Sequence, residues 1–267
     1  MNSEDELRSE NMLLKLKLEM EHGMKMMDTS ALDPAMENQW LSDIYKFENQ
    51  FKEAGQVKIY DKIGRPEYKR IEELKKEEIT DELDRISDIL AKHRISLDCI
   101  CDYDDEIIYK FVTEELFQCE VDDILVEGMV QHFIYEEFHP NHEYDLKRYA
   151  TAFIEKLLTR DWVPDWDQSD LATHIMFQGK EYDMKSISII ILAFQETYHP
   201  IHIEEQVIEH VDMNIEKNIA SVRLRLSYTT KTGNGKTQLN AGKSIINFKM
   251  QDEYWRISGF QLPGFGD

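Results

Sequence analysis

The sequence predicts an α+β protein, a mostly helical first part followed by an antiparallel sheet packed on helices, and three observations carry that reading. Apolar residues recur at helical spacing through most of residues 1–140. From about Asn218 the pattern turns to strict alternation, one side chain in and the next out, as a half-buried strand requires. Between the two regimes, His139-Pro140-Asn141 breaks the chain, because proline disfavours a continuing helix and Asn141 can cap a new one. The domain junction is placed there, giving domains 1–140 and 141–267.

The first ten residues, Met1 to Glu10, are acidic and polar and are expected to fray. Met12, Leu13, Leu16, Met20, Met24 and Met27 then follow at helical spacing. Such a stripe ordinarily docks on its own core; the other use of a methionine face is as an adaptable partner surface. Asp33-Pro34 reads as an N-cap with proline in the first turn, opening a helix with Trp40, Leu41, Ile44, Tyr45, Phe47 and Phe51 that Gly55 ends. Val57 to Ile63 alternates like a short strand until Gly64-Arg65-Pro66. Thr80 is the expected cap of a helix with Leu83, Ile86 and Leu90 on one face. Ile95 to Cys101 reads as a second strand, followed by an acidic helical region with Ile107, Ile108, Phe111, Leu116 and Phe117.

Beyond the junction, Leu146, Tyr149, Phe153 and Leu157 form one helical stripe, closed by Trp162-Val163-Pro164. Later, Ala220, Val222, Leu224, Leu226 and Tyr228 share one face of a strand, with Ser221, Arg223, Arg225 and Ser227 on the other. Gly233-Asn234-Gly235-Lys236 is expected as a hairpin loop, since it lacks the spacing of a phosphate loop. Gly242 is expected to begin a strand with Ile246, Phe248 and Met250 on one face; Asp252-Glu253 turns the chain into a last strand, Tyr254 to Phe260.

Composition bounds the partners. The chain has 267 residues, 42% hydrophobic, with a net charge of -22. That field repels phosphate backbones and anionic lipid, so neither nucleic acid nor a membrane is the expected partner. No apolar run approaches the roughly 20 residues of a membrane span, and Met1 to Glu10 is unlike a signal peptide, so a cytoplasmic protein is expected. Three cysteines, Cys99, Cys101 and Cys119, are too few for a disulfide framework and are expected as buried structural residues.

The order of elements after about Glu143 resembles the NTF2-like superfamily, in particular its SnoaL-like branch. The matching pieces are Ile175-Met-Phe-Gln-Gly-Lys180, the helix Lys185 to Thr197, the strands Ala220 to Tyr228 and Gly242 to Met250, and the terminal Tyr254-Trp-Arg-Ile-Ser-Gly-Phe260. The resemblance implies a cone of curved antiparallel sheet wrapped on helices, an apolar cavity able to hold a small apolar ligand, and a homodimer packed through the sheet. It places Ala220, Val222, Leu224, Ile246 and Phe248 at the cavity and Arg223 and Arg225 on the opposite face. The first 140 residues resemble no family of known activity.

Enzymes of that superfamily set an Asp or His base, sometimes with a Tyr donor, in an apolar cavity that shifts the base's pKa toward neutrality. Asp170, His174, His210 and Tyr149 come from segments able to reach such a cavity, although Asp170 can equally cap a turn and His174 lie at the surface. His132, Glu136, His139 and His142 concentrate imidazole and carboxylate at the junction, with His132 and Glu136 expected on one helical face. Their spacing matches no established metal motif, so solvated turn residues are expected over a metal site. His199-Pro200-Ile201-His202 is read as a turn. No pattern calls for a cofactor. The leading expectation is a non-catalytic binding or dimerisation module, with an isomerase- or dehydratase-like enzyme as the rival and a metalloprotein as the third reading.

Overall fold

The structure, a computed structural model, describes residues 3–25, 27, 31–124, 128–159, 161–232 and 235–266. The chain divides into two units, Met1–His139 and Pro140–Asp267. In the first, helices α1 (Ser3–His22) and α2 (Pro34–Glu53) form a hairpin. Asp33 caps α2, its Oδ1 accepting from Ala35 N at 3.0 Å and Met36 N at 3.2 Å. Two expectations fail in α1. Its helix starts at Ser3 rather than after Glu10, with Glu4, Asp5 and Glu6 in the turn where the helix dipole favours anions. It also closes at Gly23 (φ 67°), whose N–H donates to Glu19 O at 3.1 Å, so Met24 and Met27 lie beyond it.

The rest of this unit alternates short strands and helices: β1 (Gln56–Lys58), α3 (Ile59–Lys62), α4 (Lys76–Lys92), β2 (Ile95–Asp98), α5 (Asp105–Glu114), β3 (Glu120–Asp122), β4 (Gln131–Ile134) and α6 (Tyr135–Phe138). Strand β1 pairs with β3 antiparallel and β2 with β4 parallel. The expected strand Val57 to Ile63 is mostly α3, which lets Ile59 and Ile63, four residues apart, enter one core. Ile86, Tyr109, Phe111, Leu116 and Phe117 fill that core. Helix α4 begins a turn before Thr80, because Glu78 reaches back to accept from Lys75 N at 3.1 Å. Thr80 instead donates to Asp105 Oδ2.

The second unit holds α7 (His142–Thr159), α8 (Pro164–Asp167), β5 (Leu171–Phe177), β6 (Lys180–Tyr182), α9 (Met184–Thr197), β7 (Tyr198–Asn214), β8 (Ile219–Thr232), β9 (Thr237–Gln251) and β10 (Tyr254–Gln261). Asn141 caps α7, accepting from Tyr144 N at 3.1 Å. At the other end, two of the carbonyls every helix leaves unpaired, Lys156 O and Leu157 O, each accept from the buried Gln195 Nε2 at 2.9 Å, which ties α7 to α9.

The six strands run in the order β6-β5-β10-β9-β8-β7, antiparallel except for the parallel pair β5 and β10. The sheet is therefore mixed rather than wholly antiparallel. Register shifts at three places in β7 and between Ile257 and Gly259 in β10 bend the strands, which curves the sheet over α7 and α9. Strand β9 starts at Thr237, before Gly242, because the β8 pairing continues to Lys231↔Thr237. His199-Pro200-Ile201-His202 opens β7 instead of making a turn. Of the expected hairpin loop, Gly233 and Asn234 lie outside the described residues.

Candidate functional site

Strand alternation decides which side chains reach the helices. Val222, Leu224, Ile246 and Phe248 all point to the helical side and are buried in one cluster with Leu146, Phe153, Leu157, Ile187 and Ile191. The positions expected to line a cavity are thus packed against the helices' own stripes.

A small pocket lies beside that core. It has a volume of about 130 Å³ and is lined by Tyr149, Ala152 and Phe153 of α7, Asp170, Phe248 of β9, and Tyr254 to Ile257 of β10. Three residues singled out in the sequence, Tyr149, Asp170 and Phe248, meet there. Asp170 is an ion-pair partner in it: Lys156 Nζ sits 3.1 Å from Asp170 Oδ2 and 2.7 Å from Asp167 Oδ1. Asp167 is buried, and its other oxygen accepts from Val163 N at 2.6 Å. Burial pulls the Lys156 pKa down, but the hydrogen bonds and charges of the two aspartates outweigh it and hold the ammonium above the ordinary lysine value. Trp255 Nε1 donates to His142 Nδ1 at 3.2 Å, fixing the first turn of α7 over β10.

The other two base candidates stand apart. His174 pairs with Glu181 at 3.0 Å and is 71% exposed; His210 pairs with Asp212 at 2.9 Å and is 55% exposed. They lie on β5 and β7, four strand steps apart in the sheet, on the order of 19 Å at ~4.8 Å per step. His210 and Arg223 both bond Asp212 and hold its carboxyl below the usual aspartate range. Sequence reasoning missed Lys156 and Asp167, since a lysine on an amphipathic helix and an aspartate in a turn carry no motif.

The junction residues take four separate partners. His132 lies on β4 rather than on a helix with Glu136, and its Nε2 is 2.5 Å from Asp98 Oδ2. Glu136 accepts from Ile100 N and Cys101 N at 2.8–3.0 Å. Burial raises its pKa, and those N–H donors more than offset it, keeping the carboxyl below the ordinary glutamate value. His139 pairs with Glu115 at 3.0 Å, and His142 belongs to the second unit. Among the described residues no three His, Cys, Asp or Glu side chains are grouped to hold a metal. Cys99 is exposed and Cys101 and Cys119 are half-buried, which corrects the buried assignment. Burial and neighbouring carboxylates push the Cys99 and Cys119 thiols up, away from the reactive thiolate.

The outer face of the sheet is the other candidate surface. Cross-strand rows run Val207-Arg225-Lys243 and His210-Arg223-Ile245-Gln261. Arg225 lies within 3.6–3.8 Å of Glu205 and Glu209, and Arg223 pairs with Asp212. A groove of about 420 Å³ opens on this face at Met176, Lys243, Ile245 and Asn247 and reaches Phe177, Phe260 and Phe265 of the buried cluster. No helix among the described residues is long and apolar enough to cross a membrane.

No family model matches the chain, and no curated protein matches it. Among solved structures it is similar to a conserved protein from Planctomyces limnophilus DSM 3776, at 13% identity and a TM-score of 0.38, over 46% of this chain and 97% of that one. It is also similar to an NTF2-like protein of unknown function from Pseudomonas putida KT2440, at 11% identity and a TM-score of 0.36, over 45% and 83%. A third is an uncharacterized protein with a cystatin-like fold from Caulobacter vibrioides, at 13% identity and a TM-score of 0.35, over 44% and 85%.

Proposed function

We propose that the chain is a non-catalytic cytoplasmic interaction module whose second unit is an NTF2-like domain of the SnoaL-like branch that dimerises through the outer face of its sheet. The observation that carries this reading is the filled inner face: Val222, Leu224, Ile246 and Phe248 are buried against α7 and α9. The pocket among α7, β9 and β10, about 130 Å³, is smaller than the ~300–1,000 Å³ of an ordinary ligand site, and the groove of about 420 Å³ opens at Lys243, Ile245 and Asn247 on the outer face. What remains is an outer face where Val207, Ile245 and Met176 interleave with Arg223, Arg225 and Lys243 in a chain of net charge -22. Apolar groups with arginine are what interface centres are enriched in.

Sedimentation equilibrium of the intact protein tests it. The wild type is expected to be dimeric at micromolar concentration, and Ile245→Glu, which sets a carboxylate beside Arg223 without burying it, to weaken the dimer at least about tenfold with unchanged circular dichroism. An Ile245→Glu protein that sediments like the wild type sinks the sheet-face contact.

A second reading, a general base acting on a small ligand, is favoured by one observation, the meeting of Asp170, Tyr149 and Phe248 at a single pocket. Its 130 Å³ holds about four waters at ~30 Å³ each. Asp170 is moreover already paired with Lys156 at 3.1 Å. The interaction reading is the stronger of the two on both counts.

A further inference from the structure

Strand β2 of the first unit has one edge in use. Among the described residues its strand neighbour is β4 alone, in a parallel register from Ile95↔Gln131 to Asp98↔Ile134. Gln131 N donates to Arg94 O at 2.8 Å, which fixes the phase of that ladder. Alternate residues of a strand bond to the same neighbour, so Ser96 turns its N–H and C=O to β4 while Ile95 and Leu97 turn theirs to the other edge. That edge carries neither proline nor lysine, residues that commonly blunt one.

A groove of about 500 Å³ runs along it, within the ~300–1,000 Å³ of an ordinary ligand site. Leu83, Ser87 and Leu90 of α4 and Ile108 of α5 line the groove. Ile95, Ser96 and Leu97 line it too, although neighbouring side chains of a strand point to opposite faces. What borders the groove is therefore the backbone of β2, and β4 already occupies the opposite edge. Charge gathers at one end. From Asp98 to Glu106 the chain has five carboxylates, Asp98, Asp102, Asp104, Asp105 and Glu106, and no lysine or arginine, while Asp84 stands on the groove itself.

We infer that this edge takes an extended segment of a partner protein, apolar at alternate positions and basic between them, as an added strand beside β2. The backbone of such a segment gives partners to the N–H and C=O of Ile95 and Leu97, and strand addition draws its affinity from those bonds. One set of its alternating side chains enters the groove against Leu83, Leu90 and Ile108. The other set stays in water, where lysine or arginine meets the carboxylates that follow β2. This goes beyond dimerisation through the sheet of the second unit and does not depend on it.

A capped, fluorescent heptapeptide of alternating lysine and valine, titrated up to millimolar concentration against the full chain, tests the inference. Binding is expected, and amide exchange followed by NMR is expected to slow at Ile95 and Leu97 by at least about tenfold, with Ser96, already bonded to β4, unchanged. N-methylation of the peptide at its valines or at its lysines is expected to act unequally, one form binding like the parent and the other at least about tenfold weaker, because only one set of N–H groups faces β2. A valine–glutamate peptide is expected to bind at least about tenfold weaker, and so is the parent peptide to Ser87→Trp, which fills the groove from the exposed side of α4. Ile245→Glu is expected to bind the peptide like the wild type, so a failed sheet dimer leaves this result standing. Absent binding, equal effects of the two N-methylated forms, undiminished binding to Ser87→Trp, or equal binding of the glutamate peptide overturns the inference. Slowing of Ile95 and Leu97 that grows with protein concentration and needs no peptide hands the edge to a second copy of the chain and overturns the partner named.

Discussion

Lys156 is the side chain whose surroundings make the sharpest claim about energy. Its two partners differ in burial: the Asp167 side chain is 8% exposed and the Asp170 side chain 47%. An exposed ion pair is worth ~0–1 kcal/mol because water and salt screen it, whereas stripping the cation from a buried carboxylate leaves that charge uncompensated. Lys156→Met is therefore expected to destabilise the protein by about 1–3 kcal/mol, tempered by the Val163 N–H that Asp167 keeps. Asp170→Asn is expected to cost less than about 1 kcal/mol. Urea midpoints of the two variants check the order, and equal losses would show that burial of Asp167 is not what matters. None of this was legible in the sequence. Tyr149, Asp170 and Phe248 could be nominated as reaching one site, but Lys156 could not, because its pairing depends on how the turn after α7 folds Asp167, eleven residues on, back against it.

At the scale of elements, the curved sheet hangs on a close approach at Gly259. A Cβ there would stand 2.7 Å from Met176 O, in the parallel pairing of β5 with β10 and beside the register shift. Because the clash is with backbone, no rotamer change relieves it. Gly259→Ala is expected to cost about 2 kcal/mol or more and to broaden the amide signals of β5 in an NMR spectrum. A loss under about 0.5 kcal/mol would mean that β10 can shift its register freely. Elements set by local chemistry were readable: the Asp33 cap, the Asn141 cap, the Asp252-Glu253 turn and the alternation of β8 all follow from neighbouring residues. Those set by tertiary pairing were not. The parallel β5–β10 neighbours are separated by most of the second unit, and α3 displaces a strand pattern only because Ile59 and Ile63 have a common core to enter. Helix α1 has two apolar faces, and periodicity alone cannot say which of them α2 will take.

At the scale of the molecule, each unit carries its own buried cluster, one around Ile59, Tyr109 and Phe117 and the other around Leu157, Val222 and Phe248. The change from helical to alternating periodicity announced two kinds of architecture, and Pro140 opens the second unit. A domain of this size buries close to 70% of the surface its unfolded chain exposes, enough to fold alone. The fragment 140–267 also retains the Lys156 ion pairs, the Gln195 bonds to α7 and the tie from Tyr228 Oη to Pro263 O at 2.5 Å. Expressed by itself, it is expected to unfold cooperatively in urea, with the wild-type near-ultraviolet signal of Trp162 and Trp255, both buried in that unit. Lys156→Met is expected to lower its midpoint as it does in the intact chain, because the partners it loses lie inside the fragment. A fragment that binds hydrophobic dyes and lacks that near-ultraviolet signal would show that its cluster of buried side chains does not suffice as a core, and that Met1–His139 supplies part of what holds the sheet closed.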